Sequence, residues 1–370
     1  MLSPALSQTG FLKFFPVPDF LAMASVGLDI SDHAIRFTEI VRAGNCLRVG
    51  RYAEVKLPKG VVVEGSIADR PAFVSVLATL TRDHRLKFAR VSLPEEKAYL
   101  FRVKIVRVPE ENIHTAIEAT LEENVPFSAQ EVIFDYTVPN LYTTDTHLDV
   151  TVSVLPKAFV ESYASAIAEA GLTVIDFELE ANAIAKSVVP RGDPKTFLVV
   201  DFGRYKTVLS VVSLGVVQFT STSNVGGALL TSVLQKYLNC SFEEAEKAKL
   251  DKDLAEHRAD SELFESLLNA LSVLRDEINR VVTYWTTRSG APDAPSNVSV
   301  DAILLSGKDA LISGLDQYFS QSLKIPTSVA NVWVNVCSFE TYIPHIGYQE
   351  SLSYAPAIGL ALPESVGHFS

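Results

Sequence analysis

The chain has 370 residues, too many for one hydrophobic core, and its 48% hydrophobic and 21% charged residues describe a folded protein of two or more domains. A formal net charge of −12 excludes a broad nucleic-acid-binding surface, because phosphate contacts need clustered Lys and Arg. Three scattered cysteines exclude a disulfide framework or thiolate metal site, and seven histidines with no pair three or four apart exclude a two-histidine helix site.

Residues 11–21 are apolar but carry two prolines and two charges, without the basic flank and long apolar centre of a secretory signal. They are expected to lie as a clamp on the domain surface, and a membrane interface or a partner is the other reading. No run of about 18 or more apolar residues follows.

Residues 25–31 form an apolar strand that ends in Asp29, Ile30 and Ser31 and turns into a second strand at 34–41. Strands at 52–57 and 61–67 flank the turn Pro58-Lys59-Gly60, a helical stripe occupies 71–82, and 89–94 is again a strand. A second unit runs strand 99–106, helix 109–124, strands 131–138 and 147–155, and helix 157–170 closed by Gly171. It reads as an α+β module inserted after the first hairpin sheet.

A strand at 174–177 and a helix at 180–188 precede the Pro/Gly cluster 190–194, the best linker candidate. Beyond it lie strands at 197–201, 207–214 and 216–221 and the pair Gly226-Gly227. Helices are expected at 229–238, 242–250 and 263–288. Residues 251–260 read as a solvated loop and 290–297 as a hinge. Strand 302–305 then meets Ser306-Gly307, a turn into another helix.

The two hairpins opening at Asp29 and Asp201 are 172 residues apart, the spacing expected of two similar halves holding one polyphosphate between their turns. A carboxylate at a strand end beside such a turn can anchor a hydrated Mg²⁺ or orient a water while backbone N–H groups take phosphate oxygens. Asp at a strand end is also an ordinary turn former. The second turn is better equipped, with Gly203, the Lys206 charge and the Thr207 hydroxyl, whereas Ser31 is the obvious donor of the first. Gly226-Gly227 offers N–H groups and close approach to an anion, or simply a tight turn, and Ser306-Gly307 is similar. In the helix at 242–250 the charges favour a solvated face. The alternative gives Glu243 or Glu246 ribose hydroxyls and lays the Lys249 stem under a base.

This order of turns, inserted module and helices resembles the actin-like ATPase superfamily. More closely, over about residues 24–363, it resembles the PilM family of type IV pilus assembly proteins, relatives of FtsA. The more specific marks are Glu122-Glu123-Asn124-Val125-Pro126-Phe127 followed by Phe134-Asp135, then Asn224-Val225-Gly226-Gly227, Ala245-Glu246-Lys247-Ala248-Lys249 and Ala357-Ile358-Gly359-Leu360-Ala361-Leu362. The resemblance implies an α/β actin-like ATPase fold of two lobes around a nucleotide cleft, with an FtsA-type α+β module inserted.

On that reading 1–23 is an apolar extension, 24–94 and 172–192 the first lobe, and 95–171 the module. Residues 193–240 and 298–370 are the core of the second lobe and 241–297 its helical subdomain. The implied ligand is ATP with Mg²⁺, the metal held through water by Asp29 and Asp201. Asp29 and Ser31 match the first phosphate loop, Asp201, Gly203, Lys206 and Thr207 the second, and Gly226 and Gly227 the nucleotide loop. Glu246 and Lys249 match the ribose and base helix, Ser306 and Gly307 the adenosine turn, and Glu180 the acidic residue near an attacking water, although it also suits a helix first turn. Hydrolysis is implied to be slow at most.

The implied role is a cytoplasmic scaffold, peripheral at the inner membrane. It captures the N-terminal peptide of a PilN-like membrane protein in a groove beside the module and links it to the pilus motor ATPase. The expected lining is apolar residues of 99–106 and 113–127, which suit a module core equally well. Ile30 and Lys308 depart from the family pattern, where glycines are common. Such departures admit a degenerate scaffold without nucleotide. An FtsA-like division protein would need a C-terminal amphipathic helix, which 361–370 with Pro363 and Gly367 does not resemble. A sugar or acetate kinase would need a catalytic Asp on the acceptor hydroxyl, for which no candidate stands out.

Overall fold

The structure, a computed structural model, describes residues 25–44, 46–138, 146–251, 261–288 and 299–363. The expectations for the extension 1–23, the loop after Asp251 and the hinge 290–297 lie outside these residues.

The first sheet is built from β1 (Val26–Ile30), β2 (Ala34–Ala43), β3 (Cys46–Lys56), β6 (Phe88–Leu93) and β10 (Thr173–Leu179). Between β3 and β6 come a minimal hairpin, β4 (Val62–Val63) with β5 (Ser66–Ile67), and helix α1 (Arg70–Asp83). A single strand over 61–67 is therefore not formed. Glu64 and Gly65 both take positive φ, 48° and 71°, and fold the segment back on itself. Asp69 caps α1 by accepting the Ala72 N–H at 3.1 Å, with Pro71 in the first turn.

The order across this sheet is β10-β6-β1-β2-β3. The strands β1, β2 and β3 pair antiparallel, and β6 and β10 join in parallel. The second sheet contains β11 (Thr196–Phe202), β12 (Thr207–Ser213), β13 (Val216–Ser223), β14 (Ala302–Ser306) and β15 (Thr327–Val329) in the order β13-β12-β11-β14-β15. Its pairings repeat those of the first sheet, antiparallel through the hairpins and parallel at β14 and β15. Numbered within each half, both sheets read 3-2-1-4-5, the internal duplication expected from the spacing of the hairpins.

The inserted sheet has the order β7-β9-β8, from β7 (Tyr99–Val106), β8 (Val132–Thr137) and β9 (His147–Pro156), all antiparallel. The one helix expected over 109–124 is two, α2 (Glu110–Glu118) and α3 (Leu121–Asn124). Thr120 divides them, because both its backbone N–H and its Oγ donate to Ile117 O at 2.8 Å. Ile105, Ile113, Ile117, Leu121 and Val125 form the core of this unit with Val150, Val152 and Val154, so the apolar residues of 113–125 are mainly core. The helix α4 (Lys157–Glu169), read from sequence as the end of the module, instead packs Val160, Tyr163, Ala166 and Ile167 into the core of the first sheet beside Phe73 and Leu77 of α1.

Helix α5 (Glu180–Val188) follows β10. The second half continues through α6 (Ala228–Leu238), α7 (Phe242–Asp251), α8 (Ser261–Arg288) and α9 (Leu315–Leu323) to α10 (Tyr348–Ser351) and α11 (Ala355–Ala361). Between β14 and α9 the chain makes only a 3₁₀ turn at Lys308–Leu311. Although 298–370 was expected in the second lobe, α11 lies on β1, β2 and β6 of the first sheet and crosses α5. Glycine is required at two points of this packing. A Cβ on Gly27 would sit 1.9 Å from Ala357 O, and one on Gly359 would sit 1.7 Å from Ala183 O. No helix among the described residues is long and apolar enough to cross a membrane.

Candidate functional site

The two sheets face each other across a cleft of about 930 Å³, and Asp29 and Asp201 open into it together. The duplication explains the convergence. Each carboxylate stands near the end of the central strand of its sheet, and each is flanked by a serine of the adjacent parallel strand. Ser92 of β6 donates to Asp29 Oδ1 at 2.8 Å, and Ser306 of β14 is the register partner of Asp201. Ser92 escaped sequence reading. Its signal is the end of strand 88–93, which occupies the same position in the first half as the end of strand 302–306 in the second.

Of the residues expected to contact nucleotide, Asp29, Ser31, Asp201, Gly203, Lys206, Glu246 and Gly307 line the cleft, as does Glu180. Gly307 takes φ +83°, and a Cβ there would meet Phe202 O at 2.6 Å. Thr207, Gly226, Gly227, Lys249 and Ser306 are buried and lie outside that lining. Thr207 and Gly227 have already spent their polar groups on the wall, whereas the buried Ser306 Oγ has no hydrogen-bond partner among the described residues. Thr207 Oγ1 donates to Val225 O at 2.6 Å, the Gly227 N–H to Gly203 O at 3.0 Å, and the Ala228 N–H to Arg204 O at 2.8 Å. The N–H groups of Gly227 and Ala228 therefore tie α6 to the second turn and are not free for an anion.

Lys249 does not reach solvent, contrary to the solvated face favoured by spacing. It is 3% exposed, and its ammonium meets Asp309 Oδ1 at 2.5 Å, Glu246 Oε1 at 2.8 Å and Thr231 Oγ1 at 3.0 Å. Burial pushes the Asp309 carboxyl up, against the pull of Lys249. For Glu246 burial acts in the same sense, but the hydrogen bonds from Lys249 and Thr231 outweigh it and hold the carboxyl below its ordinary range. Glu243 is exposed.

The floor of the cleft is dominated by carboxylates. Acidic residues outnumber Lys and Arg nine to six in its lining. Burial raises Asp29, with Arg36 and the Ser92 hydroxyl opposing, and raises Asp201 to about 6, with Lys206 opposing. Glu180 is raised well above its ordinary value by burial, Lys206 pulling it down and Asp29 and Asp201 adding to the rise. Lys206 feels the converse. Burial disfavours its charge, yet Glu180 and Glu96 prevail and hold it above the usual lysine range.

Glu180 does not act as the cap of its own helix. It faces Lys206 Nζ at 3.8 Å, and the N-terminal donor of α5 is satisfied from a distant segment, where Glu95 accepts the Ala181 N–H at 2.9 Å. Burial first of all raises Glu95 to about 7. Glu95 and Glu96 lie just after β6, and the pattern of their own segment gives no reason to connect them with residues 181 and 206.

The donor set forms no direct protein cage for Mg²⁺ at Asp29 and Asp201. Asp29 Oδ1 accepts from Ser92 and Oδ2 faces Arg36 Nη1 at 3.6 Å, while the Lys206 ammonium pairs with Glu96 and Glu180. Among the described residues no group of three or more His, Cys, Asp or Glu side chains is placed to hold a metal. The arrangement offers a two-walled crevice with a fixed cation and rigid turns, suited to a compact polar ligand.

The family model for type IV pilus assembly protein PilM matches residues 27–365. Among solved structures, the chain is similar to one described as a PilM–PilN type IV pilus biogenesis complex, at 19% identity and a TM-score of 0.72, over 92% of this chain and 98% of that one. It is also similar to the ethanolamine utilization protein EutJ of Carboxydothermus hydrogenoformans, at 17% identity and 0.52, over 94% and 90%. A third is MreB5 of Spiroplasma citri bound to ADP, at 15% and 0.51, over 84% and 92%. At these identities the structural likenesses speak for a shared actin-like fold.

Proposed function

This chain belongs to the PilM family of type IV pilus assembly proteins, and from that premise we propose that it is a cytoplasmic scaffold of pilus assembly that binds an adenine nucleotide between its two duplicated sheets. The observation that carries the nucleotide reading is the shared crevice of Asp29 and Asp201, each at the end of the central strand of a 3-2-1-4-5 sheet. The MreB5 structure with the same architecture holds ADP. Asp29, Ser31, Asp201, Gly203, Lys206, Glu246 and Gly307 are the residues proposed to face the ligand. Glu180 is proposed as the acidic group near the phosphates, with turnover slow at most because its carboxyl is paired with Lys206.

The proposed partner is the N-terminal peptide of a PilN-like inner-membrane protein, as a PilM–PilN complex exists for a structure of this fold. Through it the scaffold would sit at the inner membrane beside the motor ATPase. The outer strand β7 suits an added peptide strand. It is at the edge of its sheet, Tyr99 meets Phe127 edge to face with ring centres 5.8 Å apart, and Val106 is 64% exposed.

Calorimetric titration of the full chain with ADP and ATP tests the first part. Saturable heat is expected, and Asp201→Ala abolishes it. A folded protein that gives no heat would instead be the nucleotide-free scaffold. Capture of the PilN-like peptide, lost on Val106→Asp, tests the second part.

A further inference from the structure

The cleft contains a cation of its own. Lys206 leaves the second turn, crosses from the second sheet to the first, and pairs with Glu96 after β6 and with Glu180 at the start of α5 at 3.8 Å. Its side chain is only one-third exposed, and those of Glu96 and Glu180 are 17% and 13% exposed. The pairing is thus partly shielded from water and carries more weight than a surface salt bridge. Its ammonium also acts on Asp29 and Asp201, lowering both against their burial. Arg36, the other cation beside Asp29, is held by Glu54 at 2.7 Å.

We propose that Lys206, paired with Glu96 and Glu180 in the cleft that Asp29 and Asp201 also line, is a tethered cation which takes the place of a divalent metal there and latches the two lobes together, so that the cleft of this chain works without a metal ion. An ammonium paired with Glu96 and Glu180, and acting through space on Asp29 and Asp201, supplies the positive charge that acidic side chains otherwise gather from solution. A divalent ion entering beside it meets a like charge that the chain cannot move far. The latch also fixes the closure of the cleft in the free protein, since Lys206 follows β11 of the second sheet and Glu96 follows β6 of the first.

The nucleotide reading is needed only for the consequence that binding of ADP is indifferent to metal. The latch itself is tested with metal alone. Mn²⁺ binding to the full chain is followed by electron paramagnetic resonance for wild type, Lys206→Arg, Lys206→Ser and the double variant Lys206→Ser with Glu96→Gln. The double variant removes one charge of each sign and so guards against a variant that fails to fold. Wild type and Lys206→Arg are expected to bind cleft Mn²⁺ only weakly.

The two serine variants are expected to bind one ion about tenfold or more tighter than wild type, the scale of removing a like charge at contact distance near a protein surface. Adding Asp201→Asn should remove that ion. Wild type binding Mn²⁺ as tightly as the serine variants, or folded serine variants binding no better than wild type, overturns the proposal. ADP titrated into wild type in Mg²⁺ and in EDTA is expected to give equal affinities. Absence of any ADP binding would count against the nucleotide reading and leave the Mn²⁺ result standing.

Discussion

Asp29 and Asp201 were legible as candidates because a carboxylate ending an apolar strand is a local pattern, visible in seven consecutive residues. Ser92, Glu95, Glu96 and Asp309 were not, because each acts on a group contributed by a segment far away in the chain. Glu95 yields a pH prediction. Its folded carboxyl sits at about 7, above the ordinary 4.5, so the folded state binds the proton more tightly than the unfolded one. The stability it contributes is full below about 4.5 and is lost as pH rises through about 7. Thermal denaturation from pH 5 to 8 should show that decline in wild type and a flatter profile in Glu95→Gln, which keeps an acceptor for Ala181.

Lys249 gives a second residue-scale prediction. Lys249→Met strands Asp309 and Glu246 around a buried gap and should cost roughly 3–5 kcal/mol in denaturant unfolding, the cost of removing one partner of a buried ion pair. Adding Asp309→Asn should recover part of the loss.

At the level of elements, amphipathic periodicity located most helices, since a buried stripe is written every three or four residues. It did not reveal which core each helix joins. Helix α4 follows the inserted sheet directly yet packs with α1, and its Tyr163 donates to Gly65 O of the β4–β5 hairpin at 2.7 Å. The crossing of α5 and α11 was partly written in the sequence, as a run of alanines with one glycine, but small residues announce a close approach without naming the partner. Gly359→Ala tests the contact. A methyl group 1.7 Å from Ala183 O forces the helices apart, and a loss of roughly 1–3 kcal/mol, the usual cost of overpacking, is expected as a lower melting temperature. Gly44, whose Cβ would meet nothing within 4 Å, marks a surface turn where no such packing clash arises.

For the whole molecule, the duplicated sheets make the cleft a property of two halves at once. A ligand held by both should slow amide exchange in both turns together. Hydrogen–deuterium exchange with saturating ADP is expected to protect residues around 29–36 and 201–207 in parallel. Protection of one turn alone would show a ligand seated on a single lobe and sink the clamp arrangement. The acidic balance of the chain, −12 overall, persists in the cleft, where carboxylates outnumber cations. Anion binding there therefore relies on short-range contacts in the crevice and gains nothing from the long-range field.

By itself the sequence determined the two strand–carboxylate turns, the strands of the inserted sheet and the helices up to Arg288. These depend on local periodicity, turn chemistry and capping, which act over a few neighbouring residues. The tertiary structure alone decided which polar groups remain available to a ligand. It committed the Thr207 hydroxyl and the amides of Gly227 and Ala228 to the cleft wall, buried Lys249, and set Lys206 between Glu96 and Glu180. The physical reason is that a buried donor or charge must find a partner wherever the fold supplies one, and that partner is chosen by proximity in space.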